Sequence, residues 1–109
     1  MTLTEQLSIE LLESIGPVLA QLRVRRPQLA DQLERAATST ALNIAEGHGR
    51  HGNDSRRVLR IAAGEAHEAK AALTVARALR YVDTATINAS HALADRLCGV
   101  LHGLVRSLS

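Results

Sequence analysis

Residues 41–50, ALNIAEGHGR, and residues 60–68, RIAAGEAHE, carry the most informative pattern in the chain. Both stretches follow helical periodicity, and a glycine-rich segment, residues 47–53, separates them. Because glycine tolerates positive φ and ends helices at low cost, the pattern predicts two helices that meet at a tight corner. Neither stretch contains a phosphate-binding glycine loop or a catalytic triad. The pattern therefore indicates a fold more strongly than a reaction.

The composition favours an all-α protein of one domain, residues 1–109. The chain has 109 residues, two prolines, no Phe or Trp, and Tyr81 as its single aromatic residue. Sheets depend on aromatic and β-branched residues, whereas this sequence is rich in Ala and Leu. Thirteen basic against eleven acidic residues give a net charge of +2. This mild excess permits contact with nucleic acid or an acidic partner but does not form a polybasic tail.

The sequence predicts a cytoplasmic protein with no membrane association. Cys98 is the single cysteine, so it cannot form an internal disulfide. No signal peptide and no apolar run long enough to span a bilayer are recognisable.

Four helices are predicted. The first three span residues 4–25, 27–47 and 55–81, and the fourth begins after an N-cap at Asp83 or Thr84. Pro27 suits the first turn of the second helix, where its missing donor is not needed. Gly16 and Pro17 predict a kink in the first helix, or its division into two. Short connections imply antiparallel neighbours, and the expected architecture is an up-down four-helix bundle.

The third helix shows the sharpest periodicity. Asn53 or Asp54 is the predicted N-cap. Its predicted buried face comprises nine residues: Val58, Ile61, Ala62, Glu65, Ala69, Ala72, Leu73, Ala76 and Leu79.

Glu65 lies near the centre of this apolar face, and Glu68 lies at its flank. Buried charge is unfavourable unless it is paired, so the favoured interpretation is an ion-pair network joining helices two and three. Its candidate cations are Arg35, Arg50, Arg57 and Arg60. Two alternatives stay open: the carboxylates could do acid–base or metal chemistry in a cleft, or they could meet a complementary group at a subunit interface.

Polar residues also lie near the end of helix two. The helix dipole disfavours a carboxylate at the position of Glu46, so a salt bridge to Arg50 or a hydrogen bond to loop amides is expected. We define the predicted structural clasp between helices two and three as Asn43, Glu46, Gly47, Arg50, Arg60, Gly64, Glu65 and Glu68.

Leu42 points away from the buried face of its own helix. A lone exposed leucine is common, but Leu12 and Leu19 form a second stripe on helix one. These three residues, Leu12, Leu19 and Leu42, are the candidate oligomer interface.

The fourth helix carries four side chains of metal-binding type on one stripe: His91, Asp95, Cys98 and His102. The two histidines are about 16 Å apart at 1.5 Å per residue, so the stripe cannot form one site. Only Cys98 with His102, or His91 with Asp95, could share an ion, and neither pair completes a tetrahedral site without outside ligands. No metal and no cofactor are predicted.

Arginine is well suited to phosphate oxygens, and clusters occur at the first interhelical corner and along helix three. The candidate nucleic-acid-binding residues are Arg23, Arg25, Arg26, Arg56, Arg57, Arg60, Arg77 and Arg80. No recognition-helix signature for base readout is visible.

Residues 33–50 and 60–68 together resemble the bacterial four-helix-bundle family named for the protein encoded in 23S ribosomal RNA intervening sequences. The accessory proteins of diversity-generating retroelements look like relatives. The resemblance implies an antiparallel bundle that assembles into a homopentameric ring and has no established enzymatic activity. For the retroelement relatives it also implies a basic surface that contacts RNA or DNA and a reverse transcriptase. Glu65 stands where the family usually has a small serine.

The leading hypothesis is a non-enzymatic, homo-oligomeric bundle that acts as a scaffold or adaptor and holds nucleic acid through surface arginines. The alternative is a metal-dependent or acid–base enzyme using Glu46, Glu65 and Glu68. The sequence also leaves open a purely structural role beside another protein.

Overall fold

The protein forms four long α-helices that pack side by side. A computed structural model describes residues 1–108, and over that range the helices are α1 (Leu3–Arg25), α2 (Pro27–His48), α3 (Gly52–Ala78) and α4 (Thr84–Ser107). No strand occurs in residues 1–108. Each helix packs against the next, and α4 packs back against α1, in a bundle that measures 43 × 21 × 21 Å. The predicted all-α four-helix bundle is confirmed.

The first helix begins with a capping box. The backbone N–H of Glu5 donates to Thr2 Oγ1, and the Glu5 carboxylate accepts from the Thr2 backbone, which satisfies two otherwise unpaired donors. The predicted division at Pro17 is wrong, because α1 continues through it to Arg25. Pro17 removes one helical hydrogen bond, but Ile15 and Val18 on either side are buried in the core, and their packing holds the helix together.

One residue connects α1 to α2. Arg26 has φ −144° and ψ 76°, outside the helical region that a following proline disfavours. Pro27 is the first residue of α2, as predicted. So short a connection requires the two helices to run antiparallel.

The turn between α2 and α3 is tighter than the predicted loop of residues 47–53. Gly47 and His48 belong to α2, and α3 begins at Gly52, whose φ of +59° is the left-handed conformation that glycine adopts readily. The predicted cap at Asn53 or Asp54 is wrong. His51 precedes the helix and makes no side-chain cap hydrogen bond, because Asp54 lies within the first turn and binds arginines instead.

The buried face of α3 is rotated from the predicted one. Leu59 and Ala66 are 1% exposed, whereas Ile61 and Leu79, both predicted to be buried, are 44% and 58% exposed. The helix ends at Ala78 rather than at Tyr81. The side chain of Leu59 packs against Gly47, and this contact turns Ile61 toward solvent.

A polar contact joins the first helix to the last. Asp83 caps α4 by accepting from the backbone N–H of Thr86 at 2.8 Å, as predicted. Ser90 is fully buried, and its Oγ lies 2.8 Å from Ser14 Oγ on α1. Buried hydroxyls need such partners. No helix within residues 1–108 combines the length and apolar character that crossing a membrane requires.

Candidate functional site

The corner between α2 and α3 is held by a close backbone approach. A Cβ placed on Gly47 would lie 2.6 Å from both Cγ and Cδ2 of Leu59, so only glycine fits there without a shift. The Ser55 hydroxyl donates to the Gly47 carbonyl at 2.8 Å, which satisfies one of the unpaired carbonyls at the end of α2. Gly47 therefore has a structural role at this corner.

Arg50 bridges the two helices. It donates to Glu46 at 2.5 Å and to Asp54 at 2.6 Å, and Arg57 also binds Asp54, at 3.1 Å. The hydrogen bonds from Arg50 and Arg57 lower the pKa of Asp54. Glu46 thus has the arginine partner that its place at a helix C-terminus requires, as the sequence indicated.

The other members of the predicted clasp do not join this network. Asn43 donates to the Ser39 carbonyl one turn back in α2, at 2.8 Å. Arg60 is exposed and forms no ion pair within residues 1–108. Gly64 faces open space, so its lack of a side chain is not required by a neighbour in the same chain.

Glu65 and Glu68 are placed differently from the favoured interpretation. Neither forms an ion pair with an arginine in the part of the chain that the structure describes. Burial and then the neighbouring Glu68 raise the pKa of Glu65, and Arg35 only partly offsets this effect. An ion-pair network around Glu65 is therefore wrong for the single chain, because this part of α3 is turned toward the surface and away from the bundle core.

Glu65 belongs to a stripe that the sequence assigned to the core. Residues of α3 at alternating spacings of four and three lie on this stripe, which we call the α3 outer stripe: Ile61, Glu65, Glu68, Ala72, Val75 and Leu79. Its large apolar members are 42–58% exposed. Two of its members, Ala72 and Val75, line a groove between α2 and α3 together with Leu29 of α2. This spacing is the seven-residue repeat with which one helix packs against another.

The predicted oligomer residues fall into two environments. Leu42 is 71% exposed, as expected for a leucine that points away from the bundle. Leu12 and Leu19 are half-buried and pack against the core, because α1 turns their stripe toward its neighbours. The sequence missed the exposed apolar residues of α3, which the rotation of that helix brings to the surface.

The candidate arginines divide between the two ends of the bundle. Arg56 and Arg77 are 21 residues apart on α3, which is about 31 Å at 1.5 Å per residue. Several are already engaged: Arg23 binds Asp31 and Glu34. The guanidinium of Arg26 lies 4.6 Å from the centre of the Tyr81 ring. The side chains of Arg25, Arg56, Arg60 and Arg80 form no ion pair within residues 1–108.

The stripe on α4 faces α3. Lys70 forms an ion pair with Asp95 at 2.7 Å, and this contact lowers the pKa of Asp95. His91 Nε2 lies 3.0 Å from Thr74 Oγ1. Within residues 1–108 no three His, Cys, Asp or Glu side chains form a group that could hold a metal ion.

A groove on the same face is lined by His67, Lys70, Asp95, Cys98 and His102. Sequence spacing gives no signal that His67 of α3 would lie near the α4 stripe. Cys98 is only 4% exposed, and burial raises the pKa of its thiol. Burial and Arg77 lower the pKa of His91.

A family model, the 23S rRNA-intervening sequence protein, matches residues 4–103. The chain belongs to this family. A search of curated proteins gives no match. Among solved structures, this intervening-sequence-family chain is similar to a protein of unknown function from the S23 ribosomal protein family of Bacteroides thetaiotaomicron. The two superpose with a TM-score of 0.83 at 19% sequence identity, over 94% of this chain and 98% of that one. At this identity the likeness shows the shared fold.

Proposed function

We propose that the protein is a non-enzymatic, homo-oligomeric scaffold that assembles through the outer face of α2 and α3. The observation that carries this proposal is the α3 outer stripe. Its members repeat every seven residues and include Ile61, Val75 and Leu79, all more than 40% exposed. The opposite face of α3 packs against α2 and α4, and the exposed side chains of the stripe have no partner helix within residues 1–108.

A second copy of the chain is the proposed occupant of this face. A seven-residue repeat suits another helix, and Leu42 on α2 is a further exposed apolar residue. Glu65 and Glu68 supply the polar positions that set register in such contacts, at a cost in stability. The pentameric ring implied by the family resemblance is the proposed stoichiometry, and the cytoplasm is the proposed compartment.

Native mass spectrometry and light scattering at micromolar concentration test self-association. The expected mass is five times the 11.7 kDa chain. Leu79→Glu places a charge on the α3 outer stripe and is expected to give smaller species. Leu108→Glu is the matched control, since Leu108 is 43% exposed outside the stripe, and this variant is expected to keep the parent mass. A monomeric parent, or an intact pentamer in Leu79→Glu, contradicts the proposed interface.

Nucleic-acid binding by surface arginines is the second part of the proposal. It is supported by arginines without ion-pair partners at both ends of the bundle, such as Arg25 and Arg56. Gel-shift measurements over a salt series test it, because phosphate contacts weaken steeply as salt rises. Absent binding at low salt, or binding indifferent to salt, contradicts this part. A reverse transcriptase is the candidate protein partner, tested by co-purification.

The proposal that the protein is not an enzyme is supported by the surroundings of the three candidate carboxylates. Glu46 is bound to Arg50, and Glu65 is half-buried and Glu68 exposed on the outer side of α3. Metal analysis of purified protein tests the alternative. Retained metal that is lost in Glu65→Gln or Glu68→Gln would favour the metal-dependent enzyme.

A further inference from the structure

Three arginines line one cleft at the end of the bundle where α1 and α3 finish and α4 begins. The cleft has a volume of about 710 Å³, and Arg25, Arg77 and Arg80 contribute to its walls. Arg25 is the last residue of α1, Arg77 lies in the last turn of α3, and Arg80 lies in the connection to α4. The fold therefore brings Arg25 of α1 next to two arginines at the end of α3 that are far from it in sequence.

No arginine in this cleft forms an ion pair within residues 1–108. The side chains of Arg25 and Arg80 make no hydrogen bond or ion pair within residues 1–108. Arg77 makes two long contacts, both 3.4 Å, with Asn88 Oδ1 and His91 Nε2, and neither partner carries a negative charge. All three guanidinium groups can therefore accept a ligand.

The one carboxylate that lines the cleft is already occupied. Gln21 Nε2 donates to one oxygen of Asp83 at 2.6 Å, and the backbone N–H of Thr86 donates to the other at 2.8 Å. These bonds lower the pKa of Asp83. Asp83 also caps α4, so the arginines, rather than the helix N-terminus, are the groups that would contact an anion.

Arg80 has a backbone conformation that normally belongs to glycine. Its φ is +59°, and it lies where α3 ends with the backbone N–H of Tyr81 bonded to Ala76 and that of Arg80 bonded to Arg77. This is the Schellman pattern, in which glycine usually takes the left-handed position because a Cβ is strained there. Because Arg80 ends α3 in this conformation, the fold fixes its backbone at the wall of the cleft.

We propose that Arg25, Arg77 and Arg80 bind a phosphate group in this cleft. Planar guanidinium groups match phosphate oxygens with paired hydrogen bonds. The phosphate belongs either to a small phosphorylated ligand or to the backbone of a polynucleotide. The proposal deepens the arginine part of the proposed function and does not depend on self-association.

Calorimetric titration of the full chain at low salt, with inorganic pyrophosphate as the probe, tests the cleft. Arg80→Gly removes the cation and also relieves the backbone strain. We expect this variant to raise the melting temperature while weakening pyrophosphate binding by about tenfold or more, as for loss of a charged hydrogen bond. Arg96→Ala removes an exposed arginine from α4 outside the cleft, and we expect it to bind as the parent does.

Three results would contradict the proposed phosphate site. The first is no pyrophosphate binding by the parent, and the second is equal weakening of pyrophosphate binding in Arg80→Gly and Arg96→Ala. The third is a lower melting temperature in Arg80→Gly, which would make Arg80 a structural residue. A single-stranded oligonucleotide that competes with pyrophosphate identifies the polynucleotide source, and one that does not compete identifies a small ligand. An oligonucleotide bound equally by parent and Arg80→Gly leaves the proposed nucleic-acid binding intact and places it outside the cleft.

Discussion

Glu65 and Glu68 lie one helical turn apart on the same exposed stripe of α3, and neither has an arginine partner within residues 1–108. The two carboxylates repel each other in the single chain. Burial and this repulsion raise the pKa of Glu65 above its ordinary value. The arrangement destabilises an isolated chain, and we expect it to be relieved only where a second copy brings a cation to the two carboxylates.

The raised pKa of Glu65 gives a prediction about pH. A carboxyl that holds its proton more tightly in the folded state lowers stability as pH rises above its unfolded pKa. Glu65→Gln is therefore expected to stabilise the chain at pH 7 by about 0.2–0.5 kcal/mol, the scale of like-charge pairs on a helix. This difference in stability between Glu65→Gln and the parent should vanish in acid, below the ordinary pKa of a glutamate. Denaturant unfolding of both proteins at pH 7 and at that acidic pH measures the difference.

The control for this prediction is Glu13→Gln. Glu13 is exposed on α1, away from the α3 outer stripe, and its replacement should change stability equally little at both pH values. A stability loss in Glu65→Gln at pH 7 would show that the Glu65 carboxylate is attractively paired in solution.

The contact between Gly47 and Leu59 predicts a severe effect from one methyl group. Gly47→Ala would place Cβ 2.6 Å from the Leu59 side chain, and overpacking of this kind destabilises by about 1–3 kcal/mol. Gly103→Ala is the matched control, because nothing lies within 4 Å of the added Cβ. In a helix this substitution should stabilise by up to about 1 kcal/mol. Thermal unfolding of the two variants should therefore shift in opposite directions.

The bridge at the α2–α3 turn predicts a loss of stability in acid. The pKa of Asp54 is lowered by Arg50 and Arg57, so its contribution is present above the unfolded pKa and is lost as pH falls through the folded one. Asp54→Asn is expected to lower the melting temperature at pH 7 and to match the parent in strong acid. Because the bridge is exposed, added salt should reduce the difference. A difference independent of both pH and salt would point to packing.

The single cysteine is expected to react slowly while the chain is folded. Cys98 is 4% exposed, and burial raises the pKa of its thiol, so little of the reactive thiolate forms near neutral pH. A thiol-specific reagent should modify the native protein much more slowly than the urea-unfolded chain. Equal rates would mean that α4 opens readily next to Lys70.

The sequence was sufficient for the number of helices and for most of their bounds, since apolar periodicity and Pro27 mark them directly. It was insufficient for the rotation of α3. Ile61 and Leu59 are two residues apart, and both fit an apolar face; the choice between them depends on the absence of a Cβ at Gly47, a contact between helices that periodicity within one helix does not contain.

The same limit applied to the candidate sites. Glu46 and Arg50 are four residues apart, so their contact follows from local spacing. The cleft formed by Arg25 and Arg80 depends on how the ends of three helices meet. The left-handed conformation of Arg80 is also invisible in the sequence, because arginine at the end of a helix ordinarily suggests a favourable interaction with the helix dipole.

The brevity of the helix connections has a consequence for how the chain folds. One residue, Arg26, separates α1 from α2, and three residues, 49–51, separate α2 from α3. Each helix can therefore dock on its predecessor as soon as both form. The contacts between α1 and α4, such as Ser14 with Ser90, join parts of the chain that are far apart in sequence. Such local topology is typical of chains that fold within microseconds to milliseconds. A newly made copy would reach its folded shape well before it encounters a second one.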